Sequence, residues 1–218
     1  DQAELSQSPV FVLTDQYLAD SFRGVDPFDL KSLPEPVEPD ETCDDPGGYE
    51  RYALTESGVS PRLVPGACEA LVVHDSHEHT PDGHITEDPD MRVAMQDKRM
   101  RKNTVLWENI VPPTLDESEG SGDPELLLVG WGSTKGPLLE ATEILRSQGM
   151  DVSCMHFSQV LPLNPDQFLP VFKRARRIVS VESNATGQFT RLIRTETGFS
   201  IVETVLRYDG RPITAEYI

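Results

Sequence analysis

The clearest hydrophobic pattern lies towards the C-terminus, where continuous apolar runs alternate with amphipathic ones. ELLLVGWG reads as a buried strand, since a short apolar run bounded by turn formers suits a strand covered on both faces. PLLEATEILRSQG then repeats apolar positions three and four apart, the period of a one-sided helix, and Gly149 closes it. VSCMHF and RIVSVE read as further strands. DQFLPVFKRA and TGQFTRLIRTETG read as further helices, the last with a glycine stop. This alternation predicts an α/β domain over residues 123–218, with a mainly parallel sheet flanked by helices. Ligands of such sheets sit beyond the carboxyl ends of the strands, here GWGSTKG, HFSQVLPLN and ESNATGQ.

Upstream the pattern is weaker. PVFVLTDQYLADSF suggests a short strand over Val10–Leu13, then a helix capped by Thr14 and ending near Arg23 and Gly24. One strand and one helix bury no core, so residues 1–24 read as the last unit of a larger domain. Residues 25–122 begin with a Pro- and acid-rich stretch without periodicity, expected to be extended. Short strands are expected near Tyr52–Leu54 and Ala70–His74. DPDMRVAMQDKRMRKN should be a helix, with Asp88 at the N-cap, Pro89 at the first position, acids early and bases late. DESEGSGDP reads as a flexible linker into the α/β domain.

Charge narrows the choice of partners. Lys and Arg number 19 against 37 Asp and Glu, a formal charge of −18 and a pI near 4.5. Such a surface repels nucleic acid and anionic membranes. No apolar run approaches the roughly 20 residues needed to cross a bilayer, and DQAELSQSP is no signal peptide. The start without Met suits a piece of a longer polypeptide. Three scattered cysteines, Cys43, Cys68 and Cys154, include no C-x-x-C pair for zinc or an iron–sulfur cluster. A reducing cytoplasm is expected.

Four of the five histidines fall in HDSHEHTPDGHITED. His77 and His79 stand two apart, with His84 across the turn Pro81-Asp82-Gly83. The spacing matches no strong zinc pattern, and a functional loop facing an active site is the better reading, beside a plain polar surface loop. The glycines of GWGSTKG miss the spacing of a dinucleotide fingerprint, and Asp151 stands at the wrong end of its strand to grip a ribose. A tight turn opening a helix explains the motif better. Lys98, Arg99, Arg101 and Lys102 form one basic cluster; Lys173, Arg174, Arg176 and Arg177 form another. Each suits a phosphate-bearing ligand or, equally, a helix C-terminus with local ion pairs.

Taken together, PVFVLTDQYLADS, SHEHTPDGHITED, MQDKRMRK, VESNATGQFTRLIR and the ending YDGRPIT resemble the alpha subunit of 2-oxoacid:ferredoxin oxidoreductases, with the 2-oxoglutarate branch nearest. The resemblance spans nearly the whole chain and is weakest over residues 25–48. It implies thiamine diphosphate-dependent oxidative decarboxylation of a 2-oxoacid, with acyl transfer to coenzyme A and electron flow through iron–sulfur centres to ferredoxin. It also implies that residues 1–24 end a pyrimidine-binding domain, that 25–122 connect, and that 123–218 form a domain like the C-terminal domain of transketolase. A beta subunit would carry the diphosphate, Mg²⁺ and cluster contacts, and the carboxylate that activates the aminopyrimidine would lie outside this chain. No metal, cofactor or catalytic residue is therefore expected here, and the isolated chain is expected to be inert.

Under the same resemblance His79, Gly83, His84 and Thr86 would edge the 2-oxoacid or coenzyme A path, with Gly83 making the turn. Arg99 and Lys102 are candidate phosphate contacts. Glu182, Asn184, Gly187 and Gln188 would face another subunit. The competing reading is a non-catalytic assembly or ligand-binding domain that kept only the fold.

Overall fold

A computed structural model describes residues 2–33, 35, 38, 43–118 and 123–218. The chain divides into two compact units, one made of residues 1–11 and 26–109, the other of 12–25 and 110–218.

The second unit is built on a five-stranded sheet: β1 Thr114–Asp116, β2 Leu126–Trp131, β3 Val152–Phe157, β4 Ile178–Glu182 and β5 Glu203–Leu206. The order across the sheet is β1-β3-β2-β4-β5. β2 pairs in parallel with both β3 and β4, β4 pairs in parallel with β5, and only β1 runs antiparallel, on the β3 edge. The expected mainly parallel α/β sheet is present, with two strands, β1 and β5, that the apolar pattern did not single out. Both are short and partly exposed, so neither carries the continuous apolar run by which a buried strand is recognised.

Alternation along the strands feeds two apolar layers. Leu126, Leu128, Val152, Cys154, Val179 and Val181 face Leu138 and Ala141 of the helix Lys135–Ser147, with Ile213 and Ala215 of the C-terminal segment. Leu127, Val129, Met155 and Phe157 face Phe172 of the helix Leu169–Arg174, and Phe189 and Ile193 of the helix Gln188–Thr197. Gly130 sits where β2 passes the first of these helices. A Cβ there would collide with Leu138 Cδ1 and Thr134 Oγ1, so the glycine permits the close strand–helix approach.

The segment Val12–Val25 belongs to this unit. The expected strand at Val10–Leu13 is absent: Phe11 and Val12 are 85% and 88% exposed and take part in no ladder. The helix begins one residue later than expected. Asp15, not Thr14, caps Gln16–Asp20 by accepting from the Leu18 N–H at 2.9 Å, and its carboxylate reaches that N–H, as an N-cap must.

The first unit contains one long helix, Pro89–Glu108, which starts as expected: Asp88 accepts from Asp90 N–H and Pro89 opens the first turn. The segments at 52–54 and 70–74 form no strands. Tyr52 N–H donates to Pro81 C=O at 2.8 Å, and Asp75 N–H to Gly83 C=O at 3.1 Å, which ties these segments to the histidine loop. Of the DESEGSGDP linker, Asp116 belongs to β1, while residues 119–122 lie outside the described residues.

Candidate functional site

Two regions carry the chemistry, one in each unit. In the α/β unit, β2 is the strand at which the chain order reverses. The chain passes from β2 to β3 on one side, then crosses to β4 on the other. The crevice beyond the carboxyl ends of β2 and β4 is thus the topological switch point, where open α/β sheets take their ligands. Trp131 ends β2 and is followed by Gly132, at φ +59°, and Ser133, while Ser183 and Asn184 follow β4. The crevice opens into a cavity of about 710 Å³ that reaches Arg207, Tyr208 and Arg211 after β5, with Tyr17 and Asp20 on the facing segment. The Ser133 hydroxyl donates to Asp15 and holds that segment at the crevice.

Glu182 closes β4 and is fully buried within its own unit. Its Oε2 accepts from Phe189 N–H at 2.9 Å and from Asn184 Nδ2 at 2.8 Å. Its Oε1 accepts from Thr190 N–H at 3.0 Å and Thr190 Oγ1 at 2.8 Å. Burial alone would raise the Glu182 pKa, but the bonds from Asn184, Phe189 and Thr190 outweigh it and hold the carboxyl below its ordinary value. The carboxylate thus takes the place of an external anion at the start of the helix Gln188–Thr197. Asn184 Oδ1 accepts from Thr186 and Gln188 N–H, both at 3.1 Å, which fixes the elbow before that helix. Gly187 makes the turn in the left-handed region, at φ +59°. Of the four expected interface residues, Glu182 and Gly187 are interior; Asn184 is half-buried and Gln188 exposed. A buried carboxylate needs several donors, and the elbow of its own helix supplies them to Glu182.

In the first unit the histidine loop is a tight hairpin. His79 bridges to Ile85, Thr80 N–H donates to His84 C=O at 2.8 Å, and Gly83 N–H to Thr80 C=O at 2.9 Å. Gly83 makes the turn as expected, at φ +98°, where a Cβ would strike Val73 O. The two histidines part company. His84 is exposed on the hairpin and pairs with Asp82 at 3.0 Å. His79 is buried and stacked on Tyr52, with ring centroids 3.6 Å apart, and burial depresses its pKa. Thr86 N–H donates to Glu78 C=O at 2.9 Å, and its hydroxyl accepts from Asp88 N–H at 3.2 Å, so it joins the loop to the helix cap.

Arg99 and Lys102, expected as phosphate contacts, are engaged inside this unit. Arg99 holds buried Glu78 through both terminal nitrogens, at 3.0 and 2.5 Å. Lys102 Nζ donates to Gln7 C=O at 3.2 Å. The physical reason is composition: in so acidic a chain, and beside so irregular a backbone, unpaired carboxylates and carbonyls claim the cations. Lys98, beside them, donates to Tyr52 C=O at 2.8 Å and to the Ser60 hydroxyl. Its pKa falls to about 8, first through burial and then through the nearby cations Lys102, Arg51 and Arg99. Sequence spacing did not single out Tyr52, Glu78 and Ser60, whose partners lie far along the chain, nor Arg207 and Ser183, which only the sheet brings to one crevice. Among the described residues no three His, Cys, Asp or Glu side chains gather as metal ligands, and no helix is long and apolar enough to cross a membrane.

An α/β unit with an open switch-point crevice and a polar, loop-rich companion defines an architecture more than an activity. Comparison with known proteins is more specific: the chain resembles the alpha subunits of 2-oxoacid:ferredoxin oxidoreductases. It is 34% identical over 97% of its length to the alpha subunit of 2-oxoacid:ferredoxin oxidoreductase 2 of Aeropyrum pernix, covering 33% of that protein. It is 28% identical over 86% of its length to the 2-oxoglutarate oxidoreductase subunit KorA of Mycobacterium tuberculosis, covering 28% of it. Among solved structures, the 2-oxoglutarate:ferredoxin oxidoreductase of Magnetococcus marinus, with 2-oxoglutarate, coenzyme A and succinyl-CoA bound, superposes with a TM-score of 0.71 at 28% identity. The match covers 80% of this chain and 30% of that one. No protein-family model matches the chain. The chain spans about a third of the length of the curated relatives it matches.

Proposed function

We propose that this chain is part of the alpha subunit of a 2-oxoacid:ferredoxin oxidoreductase. In that reading the assembled enzyme oxidatively decarboxylates a 2-oxoacid, 2-oxoglutarate first, to the acyl-CoA and carbon dioxide, with ferredoxin as electron acceptor. The observation that carries it is the similarity over 97% of the chain to the Aeropyrum alpha subunit. The Magnetococcus enzyme, solved with 2-oxoglutarate, coenzyme A and succinyl-CoA bound, supports the substrate. Residues 1–24 then end the pyrimidine-binding domain, 25–122 connect, and 123–218 form the transketolase C-terminal-like domain.

The cofactors of such an enzyme do not fit this chain's residues. Thiamine diphosphate needs a carboxylate facing its aminopyrimidine, and the fully buried carboxylate here, Glu182, already accepts from four donors at 2.8–3.0 Å. Cys154 is buried among Leu and Val side chains rather than beside other thiols. In this reading thiamine diphosphate, Mg²⁺ and the iron–sulfur cluster belong to other parts of the complex, chiefly a beta subunit, and the isolated chain would be inert. Its own part is positioning. The exposed His84 is the loop histidine that can meet the 2-oxoacid or coenzyme A, with His79, Gly83 and Thr86 holding the hairpin. Asn184 and Gln188 are the surface residues that meet another subunit.

Co-expression of the full natural subunit with its beta partner, followed by viologen reduction, tests the reading. Reduction that needs both 2-oxoglutarate and coenzyme A is the expected result. A complete, cofactor-loaded complex that reduces nothing with 2-oxoglutarate, pyruvate or branched 2-oxoacids would overturn it.

A further inference from the structure

Arg207 lines the cavity at the switch point, and the forked end of its guanidinium has no acceptor among the described residues. The Arg207 side chain is only 10% exposed. Its Nε donates to Asp209 Oδ1 at 3.1 Å, and its plane lies over the Tyr217 ring, 4.6 Å from the centroid. The backbone anchors it as well, Arg207 N–H donating to Glu182 C=O at 3.1 Å. Nη1 and Nη2 donate to nothing among the described residues, and Arg207 lines the cavity. Four N–H donors on a nine-tenths buried cation, with the guanidinium held by the Tyr217 ring and by Asp209, form a preorganised fork without an acceptor among the described residues. Such a fork matches two oxygens of a carboxylate or phosphate.

The remaining lining narrows the ligand. Ser183, just after β4, offers a hydroxyl with no partner among the described residues, and Arg211, whose Nε and Nη2 donate to Asp209, leaves Nη1 at the same rim. These are donors for a third oxygen, which a phosphate has and a carboxylate lacks. A cavity of about 710 Å³ is far larger than inorganic phosphate needs and falls within the roughly 300–1,000 Å³ of organic-ligand sites. Tyr17 and Tyr208 supply half-exposed to exposed aromatic walls. Asp15 and Asp20 supply acceptors that would repel a second phosphate but suit ligand hydroxyls.

We propose that this crevice binds a phosphomonoester of a polyhydroxylated small molecule, a nucleoside monophosphate or a sugar phosphate, with its phosphate on the Arg207 fork. The site lies wholly within the α/β unit and does not depend on the redox reading above. The Ser133–Asp15 hydrogen bond holds the segment Val12–Val25 beside it, and Asp15, Tyr17 and Asp20 of that segment form one wall.

Isothermal calorimetry on the whole chain, with adenosine 5′-monophosphate, ribose 5-phosphate, adenosine and ribose as separate titrants, tests this. At least one phosphate ester should bind saturably, and its unphosphorylated counterpart should not. Preference for the nucleotide over the sugar phosphate would assign the aromatic walls to a base; equal binding would assign the site to the sugar phosphate alone. Arg207→Gln should weaken binding roughly tenfold to a hundredfold, the effect of losing a charge-assisted pair. Ser183→Ala, an exposed substitution that leaves the fold alone, should weaken it several-fold. Failure of both esters to bind, equal binding of adenosine and its monophosphate, or unchanged affinity in a folded Ser183→Ala and Arg207→Gln pair would overturn the proposal.

Discussion

The two compact units hold themselves together by different means. Among the described residues the α/β unit buries twenty apolar side chains to below a tenth of their surface, whereas the histidine-loop unit buries three: Leu63, Ala70 and Met95. Besides the Glu78–Arg99 pair of the first unit, each unit buries one ion that is satisfied without an ion pair. Glu182 sits in regular structure and is surrounded by N–H and O–H donors of one helix start. Lys98 sits against irregular backbone and is satisfied by a carbonyl and a hydroxyl contributed by distant loop residues. The lesson is that a periodic core lets a buried charge serve the local geometry, while a loop-rich unit uses buried charge in place of a core.

The largest expected effect that sharpens this contrast is Glu182→Ala. It leaves the Phe189 and Thr190 N–H groups and the Thr190 hydroxyl buried without acceptors, so it should destabilise the α/β unit by about 3 kcal/mol or more. Denaturant unfolding measures the loss, and Glu182→Gln, which keeps acceptor oxygen but loses the charge, should recover part of it. A Glu182→Ala protein as stable as the parent would show that the carboxylate is not what organises the elbow.

Gly83→Ala should come next, at about 1–3 kcal/mol, because the residue must hold a positive φ and its Cβ would meet Val73 O. Hydrogen exchange should report the loss in the loop and its neighbours and leave the β2–β4 amides of the α/β unit protected.

Lys98 gives the contrast a pH dependence. Its pKa is depressed from 10.5 to about 8 in the folded chain, so the unfolded chain binds more protons between those values. Stability of the loop unit should therefore rise as pH climbs from about 8 towards 10.5, and Lys98→Met should flatten that slope. His79 acts at the other end: its lowered folded pKa means that stability falls as pH drops below the ordinary histidine value. The smallest expected effect is Arg99→Lys. It removes one of two bonds to Glu78 at a half-exposed guanidinium and should cost about 0.5–1 kcal/mol. A thermal melt that shows no change would make Glu78, rather than the pair, the element holding the hairpin.

The legible part of the molecule is the part governed by local periodicity. The apolar runs at 126–131, 152–157 and 178–182 and the amphipathic stretches between them correspond to β2, β3, β4 and their helices, since side-chain period and burial are written in neighbouring residues. The Asp88-Pro89 helix start and the Gly83 turn were equally readable, because capping and positive φ are properties of one or two residues. The edge strands β1 and β5 were not, since a short edge strand shares its exposure with loops. The run Val10–Leu13 misled for the converse reason: an apolar tetrapeptide becomes a strand only where another strand offers it a ladder.

The site shows the same division. Sequence alone determined the residue chemistry available here: many carboxylates, a histidine-rich loop, clustered cations and a family resemblance carried by short motifs. Tertiary structure decided which of those groups remain open. It turned Arg99 and Lys102 inward, separated His79 from His84, enclosed Glu182 beneath its own helix, and left the Arg207 fork without an acceptor among the described residues. The reason is that a charged group's role depends on the donors and acceptors within about 3 Å. Some of these partners are local, as Phe189 and Thr190 are for Glu182, and others, such as Gln7 for Lys102, lie far away along the chain.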